Sequence, residues 1–266
     1  MTARLDAAVA SRGLARSRTR AAELIAEGRV TVDGAVVRKA SHPVSDDAVL
    51  RVQDADAYVS RAAHKLIAAL DAFAVEVAGR LALDLGASTG GFTQLLCERG
   101  TTTVIAADVG HGQIAPSVAA DPRVRVVEGF NVRYMTAANL ADASGIAERP
   151  ELITGDLSFI SLTLVVPSIV AVAAPDADVV LLVKPQFEVG RQGVREGIVV
   201  NPQLRIDAVR QVLARAWEHG LGTLGVRRSP IEGASGNVEV LVHLAPGRGG
   251  HPSEWDEHVK REAGAP

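Results

Sequence analysis

The sequence has little of several features that mark particular protein classes. Its 266 residues include one cysteine, Cys97, which excludes an internal disulfide framework and a cysteine-based zinc site. The apolar runs, such as residues 179–183, are far shorter than the roughly 20 residues that cross a bilayer. The N-terminal residues carry charges at Arg4 and Asp6 and lack the apolar core of a signal peptide. We therefore expect a cytoplasmic protein that neither spans a membrane nor is secreted.

Lysine is also scarce, because only four of the 28 basic residues are lysines. They are Lys39, Lys65, Lys184 and Lys260. Arginine keeps its proton in proteins, whereas a lysine removed from water can release it. Each lysine is therefore a candidate for a role that arginine cannot perform.

Composition and charge indicate a globular protein with a basic head. Apolar residues make up 47% of the chain and charged residues 22%, which excludes disorder as the main state. Residues 1–52 carry nine Arg and Lys against six Asp and Glu, a net charge of +3, and the remainder carries 19 against 25, a net charge of −6. This asymmetry predicts that contact with nucleic acid is confined to the head. A small solvated basic domain without such a partner is the alternative.

The head has the pattern of two short helices followed by a hairpin. Helices are predicted over residues 4–12 and 19–27, each ended by a glycine, and Asp33-Gly34 indicates a two-residue turn before a strand at 48–52. The segment LARSRTRAAELIAEGRVTVDGAVV resembles the S4-type RNA-binding domain, and the resemblance extends over about residues 3–52. It implies structured RNA as a partner. The candidate RNA contacts of the head are Arg4, Arg12, Arg16, Arg18 and Arg20.

After a polar linker at 53–60 and a predicted helix at 61–73, strands and helices alternate. Strands are predicted at 81–85, 102–109, 124–129, 151–156, 178–184, 224–230 and 237–244, and helices at 91–99, 113–120, 160–173 and 202–218. This order predicts an α/β fold over 61–246: a doubly wound, mostly parallel, seven-stranded Rossmann-like sheet. The last two strands follow each other without a helix, which predicts an antiparallel edge hairpin. A tail at 247–266 is expected to end in a short helix.

The first strand of this sheet leads into an acidic, glycine-rich turn, DLGASTGGF. Such a turn suits the sulfonium and ammonium groups of S-adenosylmethionine, and a phosphate-binding P-loop is absent from the sequence. Asp108, about 20 residues later, suits ribose hydroxyls. The candidate cofactor contacts are Asp84, Gly86, Ala87, Ser88, Thr89, Gly90, Gly91, Phe92, Asp108, Val109, Asn131 and Asp156.

Two other interpretations of the glycines stay open. Residues 110–115 match the dinucleotide fingerprint G-x-G-x-x-A, but they follow the second strand, whereas a nicotinamide enzyme carries this fingerprint after the first. Alternatively, the glycines only mark the starts of helices.

The motifs DLGASTGGF, AADVGHGQ, GDLSFISL, VKPQFEVG and SGNVEV, in this order after the S4-like head, resemble the TlyA family over about residues 3–262. The catalytic domain of that family is similar to the FtsJ-type ribose 2′-O-methyltransferases. The resemblance implies methyl transfer from S-adenosylmethionine to the ribose of cytidine in the rRNA of both the 30S and the 50S subunit. It also implies a catalytic tetrad of Lys65, Asp156, Lys184 and Glu239.

The residues themselves support this tetrad. Asp156 and Lys184 end the fourth and fifth strands, at the edge of the sheet where ligands bind. Lys184 follows an apolar run that disfavours a charged ammonium. We predict that Lys184 accepts the proton of the 2′-hydroxyl and that Asp156 and Glu239 orient the two amines. The alternative is that the four residues form structural ion pairs only.

Further residues are candidates for holding the RNA near this tetrad. Ser158, Phe159 and Phe187 flank the motifs and could shape a nucleotide pocket, and residues 188–200 suit a mobile flap that faces the RNA. Arg61 and Arg133 are candidate phosphate contacts. No metal site and no obligate protein partner are predicted.

Three other functions are alternatives to methyl transfer. S4-like heads also occur on pseudouridine synthases, but the R-L-D letters that such an enzyme needs fall at residues 4–6, inside the head. The TlyA family has carried a hemolysin label, yet no segment here can span a membrane. An inactive methyltransferase fold that only binds RNA would not need the four tetrad residues.

Overall fold

The computed structural model describes residues 2–15, 17–52, 58–190, 193–233 and 235–264. The chain divides into two units, Met1–Ala57 and Tyr58–Pro266. Arg16, a predicted RNA contact, and residues 53–57 of the predicted linker lie outside the described residues.

The first unit packs two helices against short strands. Its elements are β1 (Thr2–Arg4), α1 (Leu5–Ser11), α2 (Arg18–Ala26), β2 (Val30–Val32), β3 (Ala35–Val36), β4 (Pro43–Ser45) and β5 (Leu50–Val52). The hairpin between β2 and β3 turns at Asp33 and Gly34, which both have positive φ, as a type I′ turn requires. Strand β5 pairs with β2, and β1 pairs with β4.

The helix pair and the hairpin of this unit match the sequence prediction, whereas the pair β1–β4 was not predicted. All three residues of β1 are exposed, so the sequence of this strand shows no alternation of apolar and polar positions. The apolar core lies between the helices and the strands and includes Leu5, Val9, Leu24 and Ile25.

The second unit is built on a seven-stranded sheet with the order β11-β12-β10-β9-β6-β7-β8. Strands β10, β9, β6, β7 and β8 are parallel, and β12 is antiparallel to both β10 and β11. The strands are β6 (Leu81–Leu85), β7 (Thr103–Ala107), β8 (Val124–Val127), β9 (Leu152–Gly155), β10 (Asp178–Val183), β11 (Leu221–Arg228) and β12 (Val240–Pro246). The predicted doubly wound, mostly parallel sheet with an antiparallel edge hairpin is confirmed.

Helices cover both faces of this sheet. One core layer contains the apolar side chains of α3 and α4, and the other contains those of α7, α9 and α10. Every residue of β9 and β10 is buried, as expected for central parallel strands. The helices are α3 (Ala63–Phe73), α4 (Gly91–Glu98), α5 (Pro116–Ala119), α6 (Ala137–Ser144), α7 (Leu162–Val172), α8 (Pro185–Glu188), α9 (Pro202–Glu218) and α10 (Asp256–Gly264).

Two segments of this unit differ from the sequence prediction. Helix α6 was not predicted, because Leu140 is its one buried residue and gives no apolar periodicity; a capping box at Thr136 and a left-handed Gly145 define its ends. Residues 58–60, predicted as linker, belong to this unit. Tyr58 and Val59 pack on its core, and the Val59 N–H donates to Gln94 Oε1 at 2.8 Å.

Candidate active site

Two lysine–carboxylate pairs meet at the carboxyl ends of the parallel strands. Lys65 lies in the first turn of α3, and its Nζ donates to Oε2 of Glu239, just before β12, at 2.6 Å. Lys184 follows β10, and its Nζ lies 2.7 Å from Oδ1 of Asp156, which follows β9. Lys65, Lys184 and Glu239 are buried. The fold thus brings the four predicted tetrad residues together as two ion pairs.

The surroundings of Lys184 hold its amine among oxygen atoms. Its Nζ donates to Ser158 Oγ at 2.8 Å and lies 3.4 Å from the backbone oxygen of Asp156. The Asp156 Oδ1 atom is buried, and Nζ of Lys184 at 2.7 Å is its one polar contact among the described residues. This oxygen therefore keeps capacity to accept a hydrogen bond from a ligand.

The two pairs line connected spaces. We call the space around the lysines the acceptor cavity; its volume is about 430 Å³, and Lys65, Lys184 and Glu239 line it. Its walls also include Arg61, Ser158, Phe159, Gln186, Phe187, Val194, Gly197, Ser235 and Asn237. Phe159 is 91% exposed and its ring centroid lies 5.2 Å from that of Phe187. The predicted nucleotide-pocket residues thus lie on this cavity.

A second space, which we call the cofactor cavity, has a volume of about 480 Å³. Among its lining residues are the predicted cofactor contacts Gly86, Ser88, Asp108, Val109, Asn131 and Asp156. A smaller pocket of about 160 Å³ is lined by Ala87, Thr89, Gly91 and Phe92, and also by Asp156, Ser158 and Lys184. Ser158 lines all three spaces, Lys184 lines the acceptor cavity and the smaller pocket, and Asp156 lines the smaller pocket and the cofactor cavity. The Asp156–Lys184 pair therefore lies where these spaces meet.

Glycines in the turn after β6 make room for neighbouring side chains. Gly86 has a φ of +78°, and a Cβ there would lie 3.0 Å from Leu157 Cδ2. Gly90 lines none of the three spaces; a Cβ there would lie 2.9 Å from Val118 Cγ1, which gives this glycine a packing role. The prediction of Gly90 as a direct cofactor contact therefore lacks support from its position.

Asp108 joins two loops at the cofactor cavity. Its Oδ2 accepts the Ser88 N–H at 2.8 Å, and its Oδ1 accepts the Gly110 N–H at 2.7 Å. A carboxylate has about four acceptor positions, so two remain for ligand hydroxyls. Asn131 lines the same cavity, and its side chain accepts the Arg133 N–H at 3.1 Å.

Asp84 takes a different place from the one that the sequence suggested. It lies inside β6, is 1% exposed and lines none of the three spaces. Its carboxyl oxygens accept the hydroxyls of Thr93 at 2.7 Å and Thr154 at 3.1 Å. Burial raises the pKa of Asp84 to about 7, although the two hydroxyls lower it. The residue joins β6, β9 and α4 beneath the cofactor turn, and its position does not fit direct contact with a ligand.

The predicted RNA contacts of the first unit fall into two groups. Arg4 and Arg18 both pair with Asp6, at 3.0 and 3.3 Å, and their side chains are more than half exposed. The hydrogen bond from Arg4 lowers the pKa of Asp6 to about 2. Arg12 instead donates to the backbone oxygens of the 45–48 turn, and Arg20 pairs with Glu23 at 2.9 Å. Arg12 is therefore exposed, but its guanidinium is engaged by the backbone of the fold, which leaves fewer of its donors for a phosphate.

Comparison with known proteins agrees with this architecture. The model for FtsJ-like methyltransferases matches residues 58–245, and the model for the S4 domain matches residues 3–50. The 16S/23S rRNA (cytidine-2′-O)-methyltransferase TlyA of Mycobacterium tuberculosis is 52% identical over 245 residues, 91% of this chain and 89% of the relative. The chain belongs to the TlyA family of FtsJ-like methyltransferases.

Two further TlyA-family relatives carry a hemolysin label. Hemolysin A of Brachyspira hyodysenteriae is 36% identical and covers 91% of this chain and 99% of its own length. A solved structure from Streptococcus thermophilus, provisionally described as a hemolysin, matches with a TM-score of 0.75 at 33% identity, over 98% of this chain and 95% of that one. In the part of the chain that the structure describes, no helix is long and apolar enough to cross a membrane.

Two features of this TlyA-family site were not foreseen. Ser158 was expected only to shape the nucleotide pocket, yet it accepts a hydrogen bond from Lys184. Asn237, two positions before Glu239, is 2% exposed and forms part of the acceptor cavity. Its position in the SGNVEV motif was a sequence signal that could have identified it as a site residue. The dinucleotide-like segment 110–115 contributes Gln113 to the cofactor cavity and follows β7, the second strand along the chain in this sheet.

Proposed function

We propose that this chain transfers a methyl group from S-adenosylmethionine to the 2′-hydroxyl of a cytidine in ribosomal RNA. The observation that carries this proposal is the position of the Asp156–Lys184 pair, where the acceptor cavity meets the spaces lined by the cofactor turn. The name of the M. tuberculosis relative supports the substrate class.

The cofactor cavity fits the cofactor in the chemistry of its donor set. S-adenosylmethionine supplies, when bound, a methyl group that is activated for attack by a nucleophile. Asp108 has free acceptor positions for ribose hydroxyls, and the buried Asp156 Oδ1 can accept from an ammonium or a hydroxyl. Gly86 allows the turn to approach Leu157 closely, and Asn131, in the segment after β8, also lines the cofactor cavity.

The side chains of the acceptor cavity would orient the hydroxyl and take its proton. In this proposal Lys184 accepts the 2′ proton at Nζ while the oxygen forms its bond to the methyl carbon and the bond from that carbon to the cofactor sulfur breaks. Asp156 and Ser158 hold the Nζ atom in place, and the Lys65–Glu239 pair fixes the opposite wall. Orientation alone contributes up to roughly 7–11 kcal/mol to such a step, and a positioned base about 10²–10⁴-fold.

We assign the exposed arginines Arg4 and Arg18 of the first unit to RNA docking. Backbone contacts of this kind fix position without reading bases. We further propose that the enzyme acts on both 30S and 50S subunits; the name of the M. tuberculosis relative, which gives 16S and 23S rRNA as the substrates of that protein, supports this. Such a substrate implies a cytoplasmic location.

The test is transfer of labelled methyl groups to purified 30S and 50S subunits from a strain that lacks the modification. After digestion to nucleosides, the label is expected in 2′-O-methylcytidine from each subunit. Label in one subunit alone would overturn the dual target but keep the reaction. Label on a base, or in neither subunit despite measured cofactor binding, would overturn the reaction itself.

A further inference from the structure

The acceptor cavity has a wall that the tetrad does not explain. After α8 the chain forms a tight hairpin in which Arg195 and Ile198 exchange backbone hydrogen bonds of 2.9 and 2.8 Å. The two residues at its tip, Glu196 and Gly197, have φ angles of +49° and +84°. Positive φ at both central positions defines a type I′ turn. We call residues 195–198 the rim hairpin.

Asn237 fixes the rim hairpin to the strand end that carries Glu239. Its Oδ1 accepts the Val199 N–H at 2.9 Å, and its Nδ2 donates to the Gly197 oxygen at 2.7 Å. The oxygen and the nitrogen of this buried side-chain amide therefore both form hydrogen bonds with residues 197–199. Arg205 on α9 adds a second anchor, because its guanidinium donates to the Val200 oxygen at 3.2 Å. The hairpin thus has a fixed position beside the catalytic pair.

The rim hairpin forms part of the wall of the acceptor cavity and carries an exposed cation, Arg195. Val194 and Gly197 line this cavity, and Arg195 between them is exposed. Arg61 is exposed and lines the same cavity. Neither arginine side chain makes an ion pair with another residue among those the structure describes. Residues 53–266 have a net charge of −6, so two exposed arginines, one lining the cavity and one on the hairpin that lines it, with no ion pair among the described residues, mark a place for an anion.

We propose that Arg195 binds an RNA backbone phosphate next to the target nucleotide and that Asn237 is the positioning residue that holds it there. The proposal rests on the proposed function, because it takes the RNA strand to enter the acceptor cavity. The occupant is a phosphodiester of the substrate, since an exposed guanidinium forms paired hydrogen bonds with phosphate oxygens. Arg61, already a candidate, provides a second phosphate contact at the same mouth.

The effect of Arg195 is measurable in the salt dependence of the reaction. Each phosphate contact to single-stranded nucleic acid contributes about 0.7 to the slope of log affinity against log salt concentration. For Arg195→Ala we expect KM for the RNA to rise about 3- to 10-fold, the slope to fall by about 0.7, and kcat to stay within about twofold because no tetrad atom is removed. Arg195→Lys restores most of the slope, because a point charge still pairs with a phosphate.

The matched control is Arg125→Ala. Arg125 is exposed on β8, at the opposite edge of the sheet from β11 and β12, and donates to the Pro122 oxygen at 2.9 Å. Its removal leaves KM and the salt slope unchanged. If Arg195→Ala behaves like this control, the phosphate contact is overturned. A wild-type enzyme that transfers no methyl to rRNA would instead overturn the proposed function, so the two failures are distinguishable.

The role of Asn237 is tested by a double-mutant cycle. If Asn237 places Arg195, the Arg195→Ala change costs less in the Asn237→Ala background than in the wild type, for both KM and the salt slope. Equal costs in the two backgrounds would overturn the positioning role. Cofactor binding and thermal unfolding of each variant show whether the fold is retained.

A pair of substitutions at Glu196 tests the hairpin itself. Glu196→Gln and Glu196→Asn remove the same charge, but asparagine tolerates a positive φ better than glutamine. We therefore expect a lower KM for the Asn variant than for the Gln variant. Identical values for the two would contradict a role of the fixed turn in RNA binding.

Discussion

Lys65 and Glu239 lie 174 positions apart in the chain, and the fold places Nζ of the lysine 2.6 Å from Oε2 of the glutamate. Helix α3 packs against β12, and the lysine and the glutamate meet beside the strand ends that carry Asp156 and Lys184. Both side chains are less than 10% exposed. The site therefore contains two amines and two carboxylates whose side chains are mostly buried.

We predict that each member of the Lys65–Glu239 pair needs the other. Lys65→Met or Glu239→Gln alone leaves a buried group without its partner, and each should lower the free energy of unfolding by about 3–5 kcal/mol. Denaturant titration measures this loss. The double variant is expected to lose less than the sum of the single losses, because neither charge remains.

Activity separates a catalytic role of this pair from a structural one. We expect the double variant to stay inactive in methyl transfer although its stability partly returns. If activity returns together with stability, the pair serves only to hold the fold, and the tetrad assignment loses two members.

Burial of Asp84 predicts an unusual dependence of stability on pH. Its pKa rises to about 7 in the folded protein, so between about pH 4 and pH 7 the folded state binds more protons than the unfolded state. Stability should fall as the pH rises through this window, by on the order of 4 kcal/mol relative to Asp84→Asn. Unfolding titrations of both proteins at several pH values check this. Parallel pH profiles for the two proteins would contradict the account.

The opposite end of the sheet holds a carboxylate with the opposite behaviour. Asp178 accepts from His243 at 2.9 Å and Arg80 at 2.6 Å, and also pairs with Arg248 at 2.9 Å. Burial alone would raise the pKa of Asp178, but these hydrogen bonds outweigh it and lower the pKa below its ordinary value. Its contribution is thus present at neutral pH and is lost as the pH falls below about 4.

Asp178→Asn should therefore lower the free energy of unfolding at pH 7 by about 3 kcal/mol. Asp71→Asn is the matched control, since Asp71 pairs with Arg99 at 3.0 Å but both side chains are more than 40% exposed. Exposed pairs contribute little, so the control is expected to change stability by less than about 1 kcal/mol. Equal losses for the two variants would show that Asp178 does not act as a buried anchor.

Two arginines of the first unit should respond in different ways. Arg18→Ala removes an exposed cation, so RNA binding weakens and the salt slope falls by about 0.7–0.9, with thermal stability unchanged. Arg12→Ala removes donors to the Ser45, Asp46 and Ala48 oxygens. We therefore expect it to affect thermal stability more than RNA binding. Filter binding across salt concentrations, together with thermal melts, distinguishes them. The reverse pattern would contradict the structural role given to Arg12.

Much of the fold was predictable because its signals are local. Buried strand runs such as residues 178–184, glycines after strands and the Asp33-Gly34 turn each depend on neighbouring residues. The strands β1 and β4 were not predicted because each has only three residues, and helix α6 was not predicted because it has one buried side chain. Their stability comes from pairing and packing with distant segments.

The sequence allowed us to predict which residues belong to the site, but not the structural role of each one. Asp156 and Lys184 end neighbouring strands, so the topology of the sheet brings them together. The depth of Asp84 could not be inferred, because it depends on Thr93 and Thr154 in other elements. In the same way, the two hydrogen bonds of Asn237 to the 197–199 segment appear only once the chain is folded.

The central claim is that Lys184 accepts the proton of a ribose 2′-hydroxyl, and the most direct test compares three proteins in single-turnover methyl transfer to ribosomal subunits. Wild type, Lys184→Ala and Lys184→Arg are measured with saturating S-adenosylmethionine. We predict that both variants lose about 10²-fold or more in rate, because alanine removes the base and arginine cannot release its proton. Near-wild-type rates for Lys184→Arg would contradict the account, since they would show that a permanent positive charge suffices at this position.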